Sequence, residues 1–248
     1  MREHLLDRII PLTLGPLLLA QGKYTRFRTP KLPAPDGARH GRAGEGRALS
    51  VLIAGDSSAL GVGVPEQAHA ISGQLAAQLA RDYAVSWRLL AQSGIRTDGV
   101  IELLQQSPAE RFDLALISVG GNDVTARMPV TQWLVSMERL LLTLVTRFGV
   151  EHVVVSPVPP MQDFPAMPQP LRWYIGARAA EYNRRLELQL REHRHGSLLS
   201  IPHDGPCSDL LAHDGFHPGP QLYEIWGRAA ARAIADHLRP VAGGRERQ

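Results

Sequence analysis

The chain has 248 residues, 44% of them hydrophobic, a net charge of +3 and one cysteine. That length suits a single α/β domain with a sizeable core, and a lone cysteine, Cys207, excludes an intrachain disulfide framework and a thiolate metal cluster. The basic residues are almost all arginine, yet no basic run is interleaved with aromatics and no nucleic-acid motif occurs. The charge therefore reads as a solvated surface with weak affinity for anionic lipid, and no nucleic-acid partner is expected.

Residues 1–47 read as a unit apart. Ile9 to Ala20 are strongly apolar but broken by Pro11, Gly15 and Pro16, and they fall short of the ~20 residues a membrane span needs. They match the apolar region of a secretory signal in length. Against export, Glu3 and Asp7 stand among the leading basic residues, and Lys23, Arg26, Arg28 and Lys31 follow at once. The expectation is a retained segment in a cytoplasmic protein, packed on the domain or held weakly at a membrane surface through residues 9–20. The alternative is export with a cleaved signal. Thr29 to Arg47, rich in Pro, Gly, Ala and Arg, has little to bury and reads as a linker arm. The domain is expected over 48–240, with a polar tail at 241–248.

From Ala48 onward, β-like and helical patterns alternate. Strands are expected at Leu49–Ala54, Val85–Ala91, Asp113–Val119, His152–Ser156 and Leu198–Ile201. Helices are expected at Glu66–Asp82, Gly99–Gln106, Val130–Phe148, Leu171–His195 and Pro220–Leu238. Repeated β-then-α order implies parallel strands with right-handed crossovers. The fold class is α/β: a three-layer α/β/α sandwich around a flavodoxin-like, five-stranded parallel sheet.

The residues suited to chemistry gather in loops after strands or after the last one: Gly55-Asp56-Ser57-Ser58, Gln92-Ser93-Gly94, Gly120-Gly121-Asn122-Asp123 and Asp214-Gly215-Phe216-His217. In a parallel sheet the carboxyl ends share one edge, where ligands bind. Each loop supplies a part that acyl transfer requires. Ser57 offers a hydroxyl, a poor nucleophile until a base takes its proton, and His217 is the candidate base. Asp214, three residues earlier, can hold the other imidazole nitrogen. The N–H groups of Ser57 and Gly94 and the amide of Asn122 can stabilise an oxyanion.

Taken together, these four blocks resemble those of the SGNH (GDSL-type) hydrolase family, over about Leu49 to Leu238. Gly55-Asp56-Ser57-Ser58 is similar to its nucleophile block, Gly94 falls at its oxyanion glycine, and Gly120-Gly121-Asn122-Asp123 matches its G-x-N-D block. Asp214-x-x-His217 matches its closing block. The departures are Gln92-Ser93, where many members carry an asparagine-bearing motif, and Ser58 in place of the name-giving leucine. The resemblance implies a cofactor-free serine esterase acting on short acyl esters, lysophospholipids, acyl thioesters or acetylated sugars.

Each site residue also has a plainer reading. Ser57 can be a helix N-cap, Asn122 a turn residue and Asp123 a cap for the segment after it. Met161, Phe164 and Met167, in the loop Pro157–Pro170, are candidates to line an acyl pocket, or ordinary loop packing. Two rivals remain. One is a metal-dependent hydrolase built on His203, His213, Asp214 and His217. The other is a flavodoxin-like module binding phosphate at the Gly55–Gly63 turn.

Overall fold

The computed structural model describes residues 10–202 and 205–239. The sheet has six strands: β1 (His40–Ala43), β2 (Arg47–Gly55), β3 (Tyr83–Ala91), β4 (Leu114–Ser118), β5 (His152–Val155) and β6 (Gly196–Leu198). Their order is β1-β3-β2-β4-β5-β6. Strands β2 to β6 are mutually parallel, and β1 adds an antiparallel edge on β3. The five expected strands thus form the parallel core of the sheet.

Among the described residues eight α-helices accompany it: α1 (Ile10–Arg28), α2 (Ser57–Leu60), α3 (Ile71–Leu79), α4 (Thr97–Gln106), α5 (Gly121–Thr125), α6 (Val130–Phe148), α7 (Leu171–Glu192) and α8 (Pro220–Leu238). The central strands read as continuous apolar runs because both faces are covered. Leu52, Ala54, Ala115, Ile117, Val153 and Val155 face a core closed by α4, α6 and α7. Their alternates Val51, Ile53, Leu114, Leu116 and Val154 face α3 and α8. This is a three-layer α/β/α sandwich.

Three differences from the sequence expectations have physical causes. The arm at 29–47 is not wholly a linker, since His40–Ala43 pairs with Val85 to Arg88. Gly41 lets the Trp87 ring lie against the backbone, where a Cβ would stand 2.9 Å from Trp87 Nε1. Helix α3 starts at Ile71 instead of Glu66, because the buried Gln67 side chain donates to Leu60 O (2.9 Å) and accepts from Ser72 Oγ (2.7 Å) in a preceding turn. Helix α7 stops at Glu192, and β6 begins two residues before the expected strand as Val153 to Val155 claim Gly196 to Leu198.

Candidate active site

The serine turn follows β2. Asp56 is extended, its N–H donates to Ser118 O on β4 (3.1 Å), and its carboxylate accepts from Ser58 N (3.0 Å) as the N-cap of the one-turn helix α2. The cap is therefore Asp56, and Ser57 is the first helical residue, with its hydroxyl free for other work. The histidine turn is built separately. Leu211 bridges Pro218, and Ala212 N donates to His217 O (2.8 Å). Asp214 Oδ1 accepts from Phe216 N (2.9 Å) and His217 N (3.0 Å). Gly63, at φ +113°, brings the two turns together: a Cβ there would lie 2.1 Å from Pro218 O.

The side chains form one line. Ser57 Oγ lies 3.1 Å from His217 Nε2, and His217 Nδ1 lies 2.6 Å from Asp214 Oδ2. The Asp214 side chain is wholly buried, and the His217 ring retains 16% exposure. Burial works to raise the Asp214 carboxyl, but the bonds from the His217 ring and from the two N–H groups outweigh it and hold it below its usual value. An ionised carboxylate fixes Nδ1 as the protonated nitrogen, which leaves the Nε2 lone pair facing the serine.

The expected oxyanion donors are related through Asn122 on α5. Its Nδ2 donates to Ile95 O (2.8 Å), the residue after Gly94, and stands 3.4 Å from Asp56 Oδ2, the residue before Ser57. One amide thus joins the two loops that carry the other donors. Gly94 sits in an exposed turn, with open space where a Cβ would be.

Asp123 is structural, though it caps α4 and not the segment after it. Its carboxylate accepts from Thr97 N (3.1 Å) and Thr97 Oγ1 (2.8 Å), and Trp133 Nε1 donates to the same hydroxyl (3.0 Å).

A cavity of about 140 Å³ adjoins the line. Its walls include Ser58, Pro157, Pro159, Pro160, Phe164, Cys207, Phe216, Pro218, Leu222 and Trp226. Of the three candidate lining residues, Phe164 is in this wall and packs edge-on against Phe216, centroids 5.2 Å apart. Met161 and Met167 share the main core with Phe164 but do not reach the cavity wall. The Met161 methyl packs beneath Gly121, next to Asn122.

Three contributors carry no signal that the sequence expectations used. Leu222 and Trp226, four apart on α8, have the spacing of a single helix face. Tyr223 is buried and donates to Ser58 O (3.1 Å) and Val62 O (2.8 Å), tying α8 to α2. No local motif marks it.

The metal reading loses most of its geometry. His203 lies outside the described residues, His213 is exposed, and both Asp214 oxygens are engaged. Among the described residues no group of three or more His, Cys, Asp or Glu is disposed around a common point. A phosphate at the start of α2 would meet the Asp56 carboxyl already capping it.

Fold and geometry define an α/β/α sandwich with a serine, an imidazole and a carboxylate aligned at the carboxyl edge of its sheet. The GDSL-like Lipase/Acylhydrolase family model matches residues 53–225, and the chain belongs to that family; it is a hydrolase. No curated protein matches the sequence. Among solved structures, the lipase Lip_vut3 from a goat rumen metagenome is similar in fold, with 18% identity and a TM-score of 0.58, covering 75% of this chain and 97% of that one. The psychrotrophic esterase EstA from Pseudoalteromonas sp. gives 19% and 0.52, covering 76% and 98%. A carbohydrate esterase family 2 enzyme from Corynascus thermopiles gives 18% and 0.56, covering 84% and 68%.

Proposed function

We propose that the protein is a serine esterase that hydrolyses carboxylic esters through an acyl-enzyme. The observation that carries the reading is the unbroken line from Ser57 Oγ through His217 to Asp214. Ser57 Oγ attacks the ester carbonyl and gives its proton to His217 Nε2. The tetrahedral oxyanion is held by the N–H groups of Ser57 and Gly94 and by Asn122 Nδ2. Collapse expels the alcohol, which takes the proton from His217. Water, deprotonated by the same imidazole, then releases the acid and restores Ser57. Asp214 stays ionised and orients the ring.

The acyl group belongs in the cavity, whose wall includes Ser58 beside the nucleophile and Phe216 and Pro218 on either side of His217. Apart from serines, that wall is apolar and holds no charge. A dry cavity of roughly 150 Å³ accommodates a benzene-sized molecule, so a volume of about 140 Å³ suits a short acyl chain of about six heavy atoms. This favours short, lipid-like acyl esters over charged or sugar-bearing acyl groups. The lipase and esterase among the structural neighbours are consistent with that class.

Treatment with a fluorophosphonate followed by peptide mass spectrometry tests the assignment. The label is expected on Ser57 and absent from Ser57→Ala, which also loses turnover of p-nitrophenyl butyrate. Labelling of another serine, or wild-type turnover by Ser57→Ala, would end this reading.

A further inference from the structure

Of the nine large hydrophobic side chains exposed among the described residues, five lie on α1: Leu12, Leu17, Leu19, Tyr24 and Phe27. A sixth, Trp173, stands on the first turn of α7, where α1 is tied down. Leu12 and Phe27 are 86% and 87% exposed. The helix is anchored to the domain despite this. Gln21 Nε2 donates to Gln169 O (2.7 Å), and Gln21 Oε1 accepts from Leu171 N (3.0 Å). Ile10, Leu14 and Leu18, one helical turn apart, pack on the core, and Leu12, Leu19 and Phe27 fall on the opposite side. Anchored helices that hold bare leucine and phenylalanine in water have a further apolar neighbour to meet.

Charge identifies the neighbour. Lys23, Arg26, Arg28 and Lys31 are all exposed and form no ion pair among the described residues, and no acidic residue occurs between Asp7 and Asp36. A second copy of this face would set these cations against their own kind. Anionic headgroups over a hydrocarbon boundary satisfy both the cations and the apolar side chains, with tryptophan and tyrosine suited to the interface. No helix among the described residues is long and apolar enough to cross a membrane, so the contact is at the surface.

We propose that α1, with Trp173, seats the protein on lipid surfaces that carry anionic headgroups. The inference goes beyond the esterase reading and does not depend on it. It also has a bearing on it: Gln169, which holds α1, ends the same loop whose Pro157, Pro159 and Phe164 wall the acyl cavity.

Flotation of the full-length protein with phosphatidylcholine vesicles, plain or with about one third phosphatidylglycerol, decides the matter. Wild type is expected to float with the anionic vesicles and to be released as salt shortens the Debye length. The triple variant Lys23→Gln, Arg26→Gln, Arg28→Gln should bind on the order of a hundredfold more weakly, at about fivefold per basic side chain. Leu12→Ser with Phe27→Ser should lose the fraction that resists salt. Circular dichroism and turnover of a soluble ester by both variants are expected to match wild type. The proposal fails if wild type ignores anionic vesicles at low salt, if the triple variant floats as well as wild type, or if sedimentation shows a dimer that Phe27→Ser dissolves while vesicle binding is absent.

Discussion

The serine turn and the histidine turn each bury an aspartate, and the two carboxyls are driven in opposite directions. Asp56 and Asp214 are 6% and 4% exposed, so burial pushes both upward. Asp214 receives two backbone N–H groups and the imidazole at 2.6 Å, and it stays ionised. Asp56 receives one backbone N–H at 3.0 Å and the Asn122 amide only at 3.4 Å. Burial raises it to about 7, the Ser58 N–H and His217 oppose the rise, and the nearby Asp123 adds to it. The donors around each carboxyl and the depth of its burial together decide which can carry charge. One aspartate can therefore steer an imidazole while the other serves as a backbone cap whose proton is lost only near pH 7.

The largest effect that tests this contrast comes from the charged member. Asp214→Asn keeps the shape but presents an amide to Nδ1 and reverses the tautomer preference. The expected loss in kcat is about 10⁴-fold with little change in KM. Turnover of a p-nitrophenyl ester within tenfold of wild type would show that the Asp214 charge does not set the imidazole.

The member with the raised value predicts a pH effect instead. The native state keeps the Asp56 proton to about pH 7, whereas the unfolded chain releases it near the ordinary 3.8. Between those values the native state binds more protons, so this group's contribution to stability falls as pH rises. Moving from 3.8 to about 7 corresponds to about 4 kcal/mol. Asp56→Asn retains a capping oxygen and has no proton to lose. Its stability relative to wild type should rise by that order from about pH 4 to about pH 8, read by urea denaturation at both values. A pH-independent difference would mean that Asp56 is ionised in the fold.

Much of this site was legible because each piece carries its own local grammar. The strings around Ser57, Asn122 and His217 end largely apolar strands or precede a helix with Pro220 at its first position, and parallel topology then sends them to one edge. Helices α6 and α8 were visible to the residue, since their apolar stripes are long and periodic. What was hidden depends on contacts across the chain. Strand β1 has no alternating pattern, and its pairing rests on how Gly41 meets Trp87. The loop Pro157–Pro170 has no period to say which side chains reach the cavity wall, so Met161 and Met167 could not be told from Phe164. Nothing in Gly-Gly-Asn-Asp reveals that Asp123 serves Thr97, 26 residues earlier.

Asn122 is a finer probe of how the two turns cooperate, because its amide touches both loops. Asn122→Ala removes the side-chain donor proposed for the oxyanion and should lower kcat by about 10²–10³ with KM little changed. Steady-state kinetics at saturating ester separates this from a binding defect. A loss in KM alone would reassign Asn122 to ground-state contact.

The smallest effect is expected at Tyr223, which supports α2 without reaching the reacting atoms. Helix α2 is a single turn, too short to fix its own direction. Asp56 holds its start, and the Tyr223 hydroxyl holds its far side through the carbonyls of Ser58 and Val62. Tyr223→Phe leaves the ring packed and strips a donor from two carbonyl groups, at a cost of about 1–3 kcal/mol in unfolding free energy. If the hydroxyl also aims Ser57, kcat should fall by less than tenfold while KM holds, and Ser57→Ala in the same background should show no further dependence on Tyr223. A loss of stability with kcat unchanged would assign the direction of the Ser57 side chain to Asp56 and the Ser118 carbonyl alone, making the histidine turn, not α8, the partner to which α2 is set.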